Sequence, residues 1–285
     1  MEFGLHIVRF DFAGGPSAIG PSLRSLAEAA EAAGFGEITL MDHYFQLQMI
    51  GARSEPMIEG YTGLGYLAAV TNQIKLGLLV TGVTYRHPGL LVKIATTLDV
   101  LSGGRSVFGI GAAWYEEEHL GLGVPFPPLS ERFERLEETL QICHQMWSDN
   151  DGAFEGKHYS LAETICSPSP VTSPHPPIRI GGNGEKKTLR LVAQYADSCN
   201  IMAPDTQTVE RKIEVLRNHC ESLGRDPSEI EITVMVFQDP LADPDRFLDQ
   251  VRAFGELGVT MTSVAPQRDQ VAYATEFGER IIGAL

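Results

Sequence analysis

The chain has 285 residues, with 22 basic against 37 acidic side chains, a net charge of −15 with histidine neutral, and 43% hydrophobic residues. This balance disfavours nucleic acid or an anionic membrane as the main partner, and it leaves room for a local basic pocket that holds a phosphorylated small molecule. The length suits one large core, and an α/β barrel of about 250 residues fits it as well as two smaller units. The start, MEFGLHIVRFDF, has no basic segment followed by a long apolar one, and no later stretch is apolar for the span of a membrane helix. Cys143, Cys166, Cys199 and Cys220 are widely spaced without a CxxC pair, so a reduced, cytoplasmic chain with ordinary buried thiols is expected.

Phe3 to Val8 reads as a first strand, followed by a helix from Pro21 to Ala33 that Gly34 ends. Glu37 to Met41 supplies a second strand, whose exit carries Asp42-His43-Tyr44, and a helix from Met57 to Val70 follows. From Ile74 to Trp114, an apolar strand IKLGLLV leads into the turn TGVTYRHP. A helix reaches Leu101, the break Ser102-Gly103-Gly104-Arg105 follows, and a fourth strand SVFGIG ends in small residues. Pro88 suits the first turn of that helix because its missing N–H would be unpaired there anyway. The acidic turn after Trp114 precedes a helix with Phe133, Leu136, Leu140 and Cys143 on one stripe. Residues 148–176, rich in proline, read as a surface insertion with a short hairpin. Strands at Ile178–Ile180, Asp197–Ile201, Ile230–Phe237 and Val259–Val264 then alternate with helices at Lys186–Tyr195, Thr206–Ser222, Pro244–Leu257 and near Asp269–Ile282. Eight strands, most followed by a helix, predict a single (β/α)8 TIM barrel over residues 1–285 with a loop insertion. A doubly wound sheet is the competing arrangement.

Barrel chemistry is built at the carboxyl ends of the strands. His43, at the second exit, is a candidate proton-transfer group, and Asp42 can orient a loop or ligand. At the third exit Thr81 and Thr84 offer hydroxyls, Tyr85 a ring, and Arg86 a cation for an anion; His87 is read as structural. Gly111 and Ala112 let a flat ligand approach backbone, with Trp114 covering one side. The run Glu116-Glu117-Glu118 with His119 lacks an HExxH pattern and reads as a solvated helix start, and no metal ligand set is expected. Gly181-Gly182-Asn183-Gly184, ahead of Lys186, Lys187 and Thr188, exposes successive N–H groups before a helix, as phosphate favours, without matching GxxxxGK[ST] or GxGxxG. Asn200 lies at the next exit.

AEAAGFGEITLMDHYF, QIKLGLLVTGVTYRHPGLLVKIATTLDVLSGGR, FGIGAAWYEEEH, ERFERLEETLQIC, FEGKHYSL and PPIRIGGNGEKKTLRLVAQYADSCN occur in one order over roughly residues 1 to 235. In that combination the chain resembles the luciferase-like monooxygenase superfamily, and within it the F420-dependent oxidoreductases. The resemblance implies a barrel that binds the deazaflavin F420 and exchanges hydride with a small organic substrate, His43 being the catalytic group. It also implies a non-prolyl cis peptide at Leu79-Val80 supporting the ring. Asp42, Leu79, Val80, Thr81, Gly111 and Ala112 would lie around the cofactor, with Gly181, Gly182, Asn183 and Gly184 at its phosphate. Tyr44, Tyr85 and Trp114 would bound the substrate. Homodimers are common in this group. The alternatives within the resemblance are an FMN-dependent monooxygenase and a non-catalytic F420-binding or assembly protein. In the glucose-6-phosphate dehydrogenase branch a glutamate follows the strand-four glycines, whereas Trp114 stands here, which argues against the same proton scheme. Glu117 and Glu118 are the nearest acids to replace it. AAW also stands where AGW is more frequent.

Overall fold

A computed structural model describes residues 1–203, 205–267 and 269–285. Eight strands form the barrel: β1 Glu2–Ile7, β2 Glu37–Leu40, β3 Lys75–Leu78, β4 Ser106–Gly111, β5 Ile178–Gly181, β6 Ser198–Met202, β7 Glu231–Met235 and β8 Val259–Val264. Every neighbouring pair is parallel, from Leu5↔Ile38 between β1 and β2 round to Phe3↔Thr262 between β1 and β8. Leu76↔Ser106 and Gly77↔Val107 join β3 to β4 and close the ring. The strands are buried along almost their whole length, because inward residues fill the barrel and outward ones meet the helices.

The helices are α1 Pro16–Ala33, α2 Gly60–Val70, α3 Pro88–Ser102, α4 Glu116–Leu122, α5 Leu129–Met146, α6 Thr188–Tyr195, α7 Thr206–Leu223, α8 Pro244–Glu256 and α9 Gln270–Arg280. Helix α1 begins five residues before the expected start. Pro16, not Pro21, takes the first-turn position, and Pro21 is carried inside the helix. Conversely α2 starts at Gly60 instead of Met57, where the Glu59 carboxylate accepts the Tyr61 and Thr62 N–H groups as its cap. The expected hairpin in the insertion is the ribbon pairing Phe154 with Leu161 and Glu155 with Ser160. Glu138 on α5 holds its turn through the N–H groups of Lys157, His158 and Tyr159. No helix among the described residues is long and apolar enough to cross a membrane.

The amino-terminal end of the barrel holds a charge pair out of water. Arg179 on β5 donates through Nη1 to Glu37 Oε2 on β2 at 2.6 Å, with side-chain exposures of 3% and 0%. Arg179 Nε also reaches Ser198 Oγ at 3.2 Å, whereas Glu37 Oε1 finds no hydrogen-bond partner. Removing one member of such a pair leaves the other charge buried without compensation, at a cost of about 3–5 kcal/mol. Arg179→Met, which keeps an unbranched stem but no charge, is therefore expected to lower the unfolding free energy by about 3–5 kcal/mol. Equilibrium denaturation checks this, and a loss below about 1 kcal/mol would mean that the pair is not holding the barrel floor.

Candidate active site

Four strand exits converge at the carboxyl-terminal rim. After β3 the chain passes through a cis Leu79-Val80 bond, at the position the resemblance implied, and Thr81-Gly82 then pairs with Ile110-Gly111 of β4. The Val80 side chain fills space that Cβ atoms would need on the neighbouring strands. A Cβ on Gly111 would come within 2.9 Å of Val80 Cγ2, and one on Gly181 within 2.9 Å of Val80 Cγ1. Val80, Gly111 and Gly181 thus make a continuous floor across three exits. Ala112 and Ala113 continue it, and Ala113 holds φ at 57°, in the left-handed region that glycine adopts most easily.

Beside this floor, Asp42 and His43 leave β2 in opposite roles. The Asp42 carboxylate is only 4% exposed and is fully engaged by the protein. It accepts from Arg86 Nη1 and Nη2 at 2.7 and 2.8 Å and from the Gly82 N–H at 2.9 Å. Arg86 is shared with Glu59 and lies 5.0 Å from the Tyr61 ring centre, and the Tyr61 hydroxyl meets Thr81 Oγ1 at 2.9 Å. Arg86 is thereby committed to internal carboxylates instead of waiting for an anion. Thr84 is likewise taken up, its hydroxyl lying 2.6 Å from His119 Nε2.

His43 turns towards the rim. Its Nδ1 lies 3.1 Å from Glu118 Oε1 on α4, and its ring stands edge-on to Trp114 and Tyr115, with centroids 5.7 Å away in each case. Glu118 was expected in a solvated helix start, but it is fully buried, as is His119, while Glu116 and Glu117 remain exposed. The Glu118 carboxylate collects four donors. His43 Nδ1 and the Tyr85 hydroxyl meet Oε1, and the N–H groups of Tyr44 and Phe45 meet Oε2, the latter at 2.8 Å. Burial would raise its pKa, but the hydrogen bonds from His43, Tyr85 and Phe45 outweigh burial and hold it below the usual carboxylate range. Burial, reinforced by the Glu118 hydrogen bond, keeps Tyr85 protonated well above its ordinary value, and burial pushes Tyr44 up to about 12. Tyr44 and Tyr85 pack edge-to-face at 5.2 Å. Beneath them His6 is buried, its Nδ1 2.8 Å from Thr39 Oγ1, and burial with the neighbouring His43 lowers its pKa to about 4.

Trp114 is 55% exposed at the mouth. The glycine loop after β5 runs from the floor to α6. Gly182 has φ 129°, and a Cβ on Gly184 would come within 2.7 Å of Thr188 Oγ1. Asn183 spends its side chain on β6, donating to the Met202 carbonyl at 2.6 Å and accepting the Met202 N–H at 3.0 Å. Lys187 sits 5.2 Å from the Phe133 ring centre, and Lys212 and Arg211 pair with Glu185. Asn200 points into the barrel, where its Nδ2 donates to Thr233 Oγ1 at 2.9 Å. No set of three or more metal-ligating side chains occurs among the described residues.

A closed parallel barrel with a half-buried imidazole on a buried carboxylate and a small-residue floor at its carboxyl-terminal rim defines a TIM-barrel protein with its chemistry at the strand exits. The chain belongs to the luciferase-like monooxygenase family, whose profile matches residues 1–277. The F420-dependent glucose-6-phosphate dehydrogenase of Nakamurella multipartita is 29% identical, covering 98% of this chain and 96% of its own. Among solved structures, the coenzyme F420-dependent tetrahydromethanopterin reductase from Methanopyrus kandleri superposes with a TM-score of 0.80, at 18% identity and 99% coverage of both chains. The monooxygenase RslO1 from Streptomyces bottropensis gives 0.78 at 19% identity, covering 100% of this chain and 99% of its own. At these identities the two structures share the fold.

The depressed Glu118 value has a pH consequence. A carboxyl whose folded pKa lies below its unfolded value, about 4.3, contributes stability that is full above that pH and lost as pH falls through the folded value. The stability gap between wild type and Glu118→Gln should therefore close on acidification below about pH 4.3. Thermal or denaturant unfolding across that range measures it, and a gap that stays constant down to about pH 3 contradicts the assignment.

Proposed function

We propose that this chain is an F420-dependent oxidoreductase that moves a hydride between the deazaflavin and a small organic substrate. One observation carries the reading. The Val80–Gly111–Gly181 floor, in which the Val80 side chain packs into the room that the two glycines leave, lies at the same rim as His43 and offers a small apolar surface for a flat ring. The Nakamurella relative, similar over nearly the whole chain, supports F420 as the ring.

Leu79, Val80, Thr81, Gly111 and Ala112 would hold the ring system, and the phosphate would meet the backbone of Asn183 and Gly184 ahead of α6, because the Gly182 N–H, expected to be exposed, donates to the Asn200 carbonyl at 3.2 Å. The residues present fit such a group, since the floor is built from Val80 and small residues and the loop after it is glycine-rich. Asp42 serves the cofactor indirectly, by fixing Gly82 and the Arg86 loop behind the ring. When bound, F420 supplies a carbon centre that gives or takes a hydride. The protein's share is orientation and proton transfer. Trp114, Tyr44 and Tyr85 bound the space for the substrate, and His43 presents Nε2 to it, because Nδ1 is held by Glu118. Trp114 stands where a glutamate would serve a sugar-phosphate dehydrogenase, so the substrate is left at the level of a small organic molecule.

Two experiments test this. Fluorescence quenching should show F420 binding with FMN at least about tenfold weaker, a difference of about 1.4 kcal/mol. Tight FMN binding without an F420 response would favour the flavin monooxygenase reading instead. His43→Ala is expected to lower kcat by about 10²–10⁴-fold while F420 affinity changes little, as for loss of a general acid or base. Unchanged turnover would remove His43 from the chemistry, and F420 binding with no turnover on any reducible or oxidisable substrate would favour the non-catalytic reading.

A further inference from the structure

We infer that Glu118 is a positioning residue that decides which nitrogen of His43 meets the substrate. The inference rests on the reading of His43 as the proton-transfer group. It goes beyond that reading by assigning how the imidazole is prepared and by which residue.

An ionised carboxylate only accepts hydrogen bonds, so a histidine nitrogen facing it must carry a proton. Glu118 is buried and kept ionised by its donors, and its Oε1 faces His43 Nδ1 at 3.1 Å. Nδ1 is therefore the protonated nitrogen, and Nε2 is left with its lone pair in the neutral ring. The arrangement is fixed from several sides. Oε2 is anchored by the N–H groups of Tyr44 and Phe45, which follow His43 directly, so the carboxylate cannot turn away without freeing two backbone donors. Tyr85 supplies a further donor to Oε1, and the Trp114 and Tyr115 rings limit the tilt of the imidazole. His119 does not compete. Its Nδ1 lies 2.7 Å from the Tyr115 carbonyl and its Nε2 beside Thr84 Oγ1.

For an alcohol substrate, Nε2 would take the hydroxyl proton, balancing the hydride that the adjacent carbon would give up to the bound cofactor, so that a C–H and an O–H bond would break and a C=O bond would form. The reverse step returns the same proton. Glu118, four residues beyond Trp114, thus supplies a carboxylate to the reaction through His43 and without touching the substrate.

Glu118→Gln separates this role from simple support. The amide has nearly the same shape, but only one of its two ends accepts. With its oxygen kept on the Tyr44 and Phe45 N–H groups, its NH₂ faces His43 Nδ1, which must then accept, and the proton moves to Nε2. A neutral ring protonated at Nε2 cannot take a proton from the substrate. Protein with ¹⁵N-labelled histidine, free of cofactor and at about pH 8 so that ordinary histidines are neutral, reports the tautomer in long-range ¹H–¹⁵N spectra. His43→Asn identifies the signal. The expected result is a protonated Nδ1 in the wild type and in Tyr85→Phe, and a protonated Nε2 in Glu118→Gln. With turnover, Glu118→Gln should lose about 100-fold in kcat with F420 affinity held within about threefold. A wild-type His43 protonated only at Nε2 overturns the inference even if the variant fails to fold. So does a Glu118→Gln protein that keeps Nδ1 protonated, or one whose loss of activity merely follows a loss of F420 affinity. Because the tautomer is read without cofactor, failure of the F420 assignment leaves this test intact.

Discussion

The rim of this barrel depends on one buried carboxylate. Glu118 arrives on α4, after the fourth strand, yet its donors come from the second strand exit and from the loop after the third. Without it, two backbone N–H groups and an imidazole would face each other with no acceptor between them. Each buried donor left unpaired costs about 1–3 kcal/mol, so the alternative arrangements of that loop are strongly penalised. The same contact that orders the loop also orients the imidazole, so local folding and site geometry share one interaction.

Glu118 belongs to a wider habit of this acidic chain. Glu31 accepts the N–H groups of Asn72, Gln73 and Ile74, which lead into β3. Asp99 on α3 accepts those of Val171 and Thr172, pinning the end of the insertion, and Asp197 accepts that of Ile178 at the start of β5. A surplus of carboxylates is thus partly an internal resource. Loops whose backbone cannot pair with a neighbouring strand find acceptors on the helices and strand starts they cross.

The alternation of apolar runs and amphipathic segments carried the eight strands and the helix layer, because those patterns follow from burial on fixed faces. Chain direction and spacing also placed His43, Val80, Gly111 and Gly181 at strand exits. The pairing among charged side chains was not legible. Asp42 and Arg86 lie 44 positions apart, and nothing local shows that each is the other's partner. Three consecutive glutamates, Glu116 to Glu118, look alike in composition. Only the angle at which α4 meets the rim sends the third inward and leaves the first two in solvent, and that angle is a tertiary property. The start of α1 differs from the expected one for a simpler reason, since Pro16 and Pro21 are both acceptable first-turn prolines and the sequence offers no means of choosing.

The two tryptophans of the chain occupy opposite environments. Trp147 is 8% exposed in the core, with its Nε1 donating to Thr96 Oγ1 at 2.8 Å, while Trp114 is 55% exposed beside His43. The protein therefore carries its own optical pair, one indole reporting on the mouth and the other serving as an internal reference. A molecule that does not absorb where indole emits changes the polarity around the first when it enters the rim and leaves the environment of the second as it was, so its occupancy is separable from unfolding in a single emission spectrum.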